Sequence, residues 1–364
     1  MNGKERMKIA MTGGKPDRVP FNPQIVFTHA VRQLEKKEDY EKCIVKCYED
    51  PEYFADLAFE ISRTYHADGF RIMPLQSDTL KIKKEINDYI AYETATGERL
   101  GCLDMTTGNI IEDDPVHIKC MEDVKKIKIP SPQDFYESIE IQRAIKCCDM
   151  AKDDFFKIGW VTMPGDYLIS QRGMSQSMID LIDDEDLVKA LSETCVEIAI
   201  NKAKAYAKTE VDGLLVGDAG ASSSLISPAH FKEFVFPYIK RFCEAIRPTG
   251  LILYLHICGC VRPIVEMMAE TGVHCLEPMD ALGGMKPYEF REKVGNKVAL
   301  MGGVNTVTLA SGNPEDVERE ARECIEGAGK NGGYIMAAGD MVPFEAPREN
   351  VLKMYEVASS HFYK

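Results

Sequence analysis

Residues 250–260 read Gly-Leu-Ile-Leu-Tyr-Leu-His-Ile-Cys-Gly-Cys, an apolar run that stops on a histidine, two cysteines and a glycine. A run without polar alternation predicts a parallel strand buried on both faces. In an α/β protein the carboxyl ends of such strands carry the chemistry. His256 and Cys258 are separated by one residue, so an extended chain turns an imidazole nitrogen and a thiol to the same side. That pair suits a borderline-soft metal, zinc first among the options. A reactive zinc site takes three protein ligands and keeps a fourth position for a reactant. Cys260 is the nearest source of a third ligand, while Asp340 and Glu277 are offered by other strands. Zinc held there would lower the pKa of an incoming thiol or polarise an oxygen leaving group. The plainer alternative is a pair of packed strand-end side chains, because free cysteine is among the most buried residue types.

Such residues need a scaffold that brings several strand ends to one mouth. Apolar runs at 154–160, 211–218, 250–256, 272–277, 296–303 and 332–339 predict strands, preceded by a proline-punctuated one at 15–27 and a short one at 68–74. Between them lie helical patterns at 183–209, 227–247, 263–271, 287–294 and 314–330, with a last one from Pro347. Two more precede these, one opened by Asp50-Pro51 and one near 135–151. Eight strands alternating with helices predict a (β/α)8 TIM barrel, an α/β fold spanning residues 1–364 as one domain. A doubly wound open sheet fits less well, since no Gly-x-Gly-x-x-Gly opens a helix after the first strand. Residues 82–129 break the rhythm, and Thr96-Gly97 and Thr107-Gly108 read as hairpin turns. An antiparallel insertion, a lid or an interface, is expected there.

In a barrel, Asp218, His256 with Cys258, Glu277, Asp280, Asn305 and Asp340 follow successive strands and converge on the catalytic mouth. Asp218 would accept a substrate hydrogen bond or orient a ligand, or else cap the short turn that follows it. His29, His66, His230 and His274 have no visible partner and read as structural. Cys147-Cys148 reads as helix packing, and Arg18 as one half of a salt bridge.

The net charge of -14 argues against nucleic acid and anionic membranes as partners. With 45% apolar and 28% charged residues, a large core is available. The amino terminus lacks the apolar centre of a signal peptide, and no apolar run is long enough to span a bilayer. The 12 cysteines are therefore expected as free thiols or ligands in a reducing cytoplasm. Together with 18 methionines they suit an anaerobe.

Several stretches resemble the uroporphyrinogen decarboxylase-like superfamily, especially its corrinoid-dependent methyltransferase branch. They are Gly14-Lys-Pro-Asp-Arg-Val-Pro20, Val216-Gly-Asp-Ala-Gly220, Ser227-Pro228 with Phe231 to Pro237, His256-Ile-Cys258-Gly259, Leu300-Met-Gly-Gly-Val-Asn305 and Glu345 to Asn350. Decarboxylases of the superfamily carry an arginine-rich segment after the first strand to hold an acidic tetrapyrrole. Here residues 23–30 contain no arginine, which speaks against a metal-free lyase. The branch implies zinc held by His256, Cys258 and a late cysteine. In this chain Gly339 is followed by Asp340, leaving Asp340 or Cys260 as the third ligand. The resemblance implies a zinc-dependent transfer of methyl between a small methylated substrate, with a methyl ether favoured, and cobalamin carried by a partner corrinoid protein. Asp218 and Glu277 would position the substrate or orient ligands. Transfer from the corrinoid protein to a thiol or folate is the alternative, and a non-catalytic binding member a further one. A homodimer is the superfamily expectation.

Overall fold

The computed structural model describes residues 1–72, 80–86, 88–113 and 115–363. Seven parallel strands form one curled sheet in the order β1 (Gly69–Arg71), β6 (Phe156–Thr162), β7 (Gly213–Gly217), β8 (Ile252–His256), β9 (Cys275–Met279), β10 (Ala299–Gly302) and β11 (Tyr334–Ile335). The expected strand at 15–27 is not a ladder strand. Among the described residues it makes only isolated bridges, Phe21 with Met336 and Ile25 with Val342 in parallel and Arg18 with Phe362 antiparallel. Pro16, Pro20 and Pro23 explain this, because each lacks the N–H that a continuous ladder needs. The segment nevertheless closes the ring. Met336 donates to the Pro20 carbonyl and accepts from Asn22, while Asp68 donates to the Phe21 carbonyl on the other side. The eight-membered barrel is thus present, with one wall built from isolated hydrogen bonds. Of the expected strand at 68–74, Met73 and Pro74 lie outside the described residues.

The insertion is a four-stranded antiparallel sheet, β2 (Leu80–Glu85), β3 (Asp88–Glu93), β4 (Arg99–Leu103) and β5 (Ile110–Glu112). Its turns contain Gly97 and Gly108, both at φ +73°. It is tied to the helix Tyr40–Glu49 and its neighbourhood through Tyr40, which donates to the Met105 carbonyl at 2.7 Å, and through Tyr48, which donates to the Gly108 carbonyl.

Along each barrel strand alternate residues face inward. Ile158, Leu215, Tyr254, Cys275 and Met301 fill the interior, and helix Gly3–Met11 adds Met7, Ala10 and Met11 to that cluster. The same helix leans Gly3 against Asp68 and Asp154, so it stoppers the barrel at the amino ends of β1 and β6. Arg6 and Arg18 both pair with Asp68 there, so Arg18 serves a structural bridge as expected. Cys147 and Cys148 are buried in the helix Ile139–Ala151, and all 12 cysteines are free thiols. The pattern at 227–247 divides into helices Pro228–Phe234 and Phe236–Ile246, since Pro237 cannot continue the first. Among the described residues no helix is long and apolar enough to cross a membrane.

Candidate metal centre

His256 ends β8 and pairs in register with Glu277 of β9, which sets the two side chains side by side on the inward face. Glu277 Oε2 accepts a hydrogen bond from His256 Nδ1 at 2.7 Å, and both residues are buried. A carboxylate accepts only, so Nδ1 carries the proton and Nε2 is the ring nitrogen that could bind a metal. Burial acts most strongly against the imidazolium, yet Glu277 and Cys258 outweigh it and raise the imidazole's pKa.

The chain reverses directly after Cys258. Gly259 sits at φ +81°, where a Cβ would lie 2.8 Å from Ser224 Oγ. Its N–H donates to Asp280 Oδ2 at 2.7 Å, and Cys260 N donates to Ser224 Oγ at 3.0 Å. Asp340 follows β11 on the rim, its Oδ1 4.0 Å from His256 Nε2. The ligand atoms of His256, Cys258 and Asp340 all lie within 4.8 Å of one another, and Cys260 is outside this group. Tetrahedral zinc ligands stand roughly 3.3–3.8 Å apart for bonds of about 2.0–2.3 Å. The nitrogen, sulfur and oxygen donors thus fit zinc after shifts of about an ångström. Glu277 is not one of the three but holds the imidazole that is.

Asp218 caps no turn of its own. Its Oδ1 accepts from Asp166 N at 2.9 Å, near the start of helix Pro164–Arg172, and Asp166 Oδ1 accepts from Gly220 N at 2.7 Å. The exchange resembles a capping box made across two loops. It was not legible beforehand, because the partners are 52 residues apart. Burial, with Asp166 adding to it, raises the Asp218 carboxyl well above the usual range. Asp218 Oδ2 and Glu277 Oε1 have no hydrogen-bond partner among the described residues. Asn305 caps the helix Thr306–Ser311 through Val307 N.

The chain matches the uroporphyrinogen decarboxylase (URO-D) family over residues 2–361. It is 25% identical to the methylcobamide:CoM methyltransferase MtbA of Methanosarcina acetivorans, over 99% of this chain and 98% of that protein. It is 26% identical to MtbA of Methanosarcina mazei, over 74% of this chain and 78% of that protein. A solved methyltransferase from Methanosarcina mazei shares the fold with a TM-score of 0.75 at 20% identity, covering 99% of this chain and 98% of its own. With a match along almost its whole length, this chain belongs to the uroporphyrinogen decarboxylase family.

Proposed function

We propose that the chain moves a methyl group between a corrinoid and a small thiol at the barrel mouth, with zinc held by His256, Cys258 and Asp340. The relatives matched over most of their length are methylcobamide:CoM methyltransferases, and this chain is a corrinoid-dependent methyltransferase of the same family. The observation that carries the zinc reading is the three-ligand group on the mouth. Zinc bound there would supply Lewis acidity that brings a thiol into its thiolate form near neutral pH. Glu277 fixes the ring of His256 and its tautomer. The turn at Gly259, pinned by Asp280, aims Cys258 inward. Asp340, partly exposed on the rim, faces the side from which a reactant enters. Asp218 and Asp166 hold together the loops beside His256, whose carbonyl accepts from Asp218 N. A corrinoid protein bearing cobalamin is the partner in this reading, with a homodimer in the cytoplasm as its setting.

A second reading keeps the same residues but takes a methyl ether as donor. It is favoured by Asp340, whose oxygen gives a harder donor set than a cysteine would, better suited to an ether oxygen.

Anaerobically purified protein is expected to carry close to one zinc and to methylate 2-mercaptoethanesulfonate from methylcobalamin. His256→Ala and Cys258→Ala should lose both properties. Less than roughly a tenth of an equivalent of zinc in the wild type would sink the metal reading, given the tightness of such sites. Demethylation of a methoxylated substrate without any thiol methylation would instead select the second reading. Formation of coproporphyrinogen would point to a lyase.

A further inference from the structure

Arg71 is the last residue of β1 and faces the barrel interior. Phe70 before it packs outward on Phe59 and Phe155, and Arg71 stacks over the Trp160 ring at 5.3 Å. Trp160 in turn leans over Gly217, where a Cβ would come within 2.9 Å of the indole. Gly217 is the register partner of His256. The guanidinium therefore shares the upper chamber of the barrel with the metal centre.

Its surroundings are one-sided. A guanidinium offers five N–H donors. Arg71 gives one, at 2.9 Å, to Gln24 Oε1, and among the described residues it has no carboxylate partner. That bond fixes the amide orientation, because only the oxygen of Gln24 can face a cation. Gln24 Nε2 is then a donor, fully buried, with no acceptor among the described residues. The Tyr254 hydroxyl, also buried and without a partner among the described residues, lies within electrostatic reach of Arg71. Buried donors without acceptors are uncommon in folded proteins. Here they gather around a cation that stacks on an aromatic face. One positive charge matches a monoanion, and a dianion would meet the carboxylates of Glu277 and Asp340 across the same chamber.

We propose that Arg71 and Gln24, with Tyr254 beside them, form the seat for an anionic group, a carboxylate or a sulfonate, on the small molecule whose other end reacts at the metal centre. The identity of the reacting end rests on the proposed methyltransferase function. The anion seat rests on the donors alone.

Trp160 is the chain's only tryptophan, so intrinsic fluorescence reads the Arg71 stack directly in the full-length protein. At constant ionic strength, ethanesulfonate and propionate should give saturable changes, while ethyl methyl sulfone and propionamide should give none. The tighter of the two anions identifies the class. Arg71→Gln should weaken anion binding about tenfold or more, the scale of a lost charge-assisted contact. Gln24→Glu supplies an internal carboxylate and should do the same while leaving Arg71 in place, which decides the matter if the first variant folds poorly. Zinc content should stay at the wild-type level in both. In transfer from methylcobalamin, the wild type should prefer 2-mercaptoethanesulfonate over 2-mercaptoethanol about tenfold in kcat/KM, expressed in KM, and Arg71→Gln should level the two. Equal binding of anionic and neutral probes by the wild type, or undiminished anion binding in both variants, overturns the proposal. Anion binding that survives with no thiol methylated at all leaves the seat standing and rejects the methyltransferase function instead.

Discussion

Replacing Glu277 by glutamine and by alanine separates the two things its carboxylate does for His256. The bond from Nδ1 is 2.7 Å long and both partners are buried, so it is charge-assisted and little screened. Such a bond contributes about 1.5–3 kcal/mol net, roughly twice a neutral one. Glutamine keeps the shape and an acceptor oxygen but not the charge. About half of that contribution is lost, roughly 1 kcal/mol, and zinc affinity should fall around fivefold. Alanine removes the acceptor as well, and the ring is free to rotate or to move its proton onto Nε2. The fall should then reach about 10–100-fold, the usual range for a lost carboxylate behind a metal-bound histidine. Competition between apo-protein and a chromophoric zinc chelator under anaerobic conditions measures both values. If Glu277→Ala holds zinc as tightly as the wild type, Glu277 does not support the ligand and the assigned geometry is wrong. A fall no larger than that of the glutamine variant would show that only the charge matters.

Two further outcomes follow from the same structure. Asp340→Ala should abolish stoichiometric zinc while Cys260→Ala retains it, measured as metal content after dialysis, and the reverse order would transfer the third-ligand role to Cys260. His29 should make stability depend on pH: its Nδ1 faces the Pro343 carbonyl at 3.0 Å, so it carries the proton, and Nε2 accepts from Tyr65 at 2.8 Å. Burial lowers its pKa to about 4, below the ordinary value of 6.5, so the unfolded chain binds the proton more readily. Stability from this group is complete above pH 6.5 and is lost as pH falls towards 4, by roughly 3 kcal/mol in all. Urea midpoints across that window should flatten in His29→Gln, and an unchanged slope would count against the burial argument.

Much of the barrel was legible because its strands are short apolar runs, and burial on both faces leaves that composition no other use. The run at 250–256 became β8 less its first two residues, that at 211–218 became β7 with its ends trimmed, and that at 272–277 became β9 shifted towards its carboxyl end, Cys275–Met279. The hairpin turns announced themselves through glycine at positive φ. What misled was proline. Residues 15–27 have the right place in the order but too few N–H groups, so the wall they build is a set of bridges. Asp166 stayed hidden because its role is set by a carboxylate far away in the chain, and Arg71 because an arginine at a strand end looks the same whether paired or free.

By itself, the amino-acid sequence determined the alternation of strands and helices and the strand that ends on His256 and Cys258. These are local properties, carried by composition and spacing. Only the tertiary structure decided the rest. Cys260 is two residues from Cys258 but the positive-φ turn at Gly259 carries it out of the group, whereas Asp340 arrives from the last strand because the ring closes. Glu277 became the support of His256 through the register of two neighbouring strands, a one-residue choice that spacing along the chain does not encode.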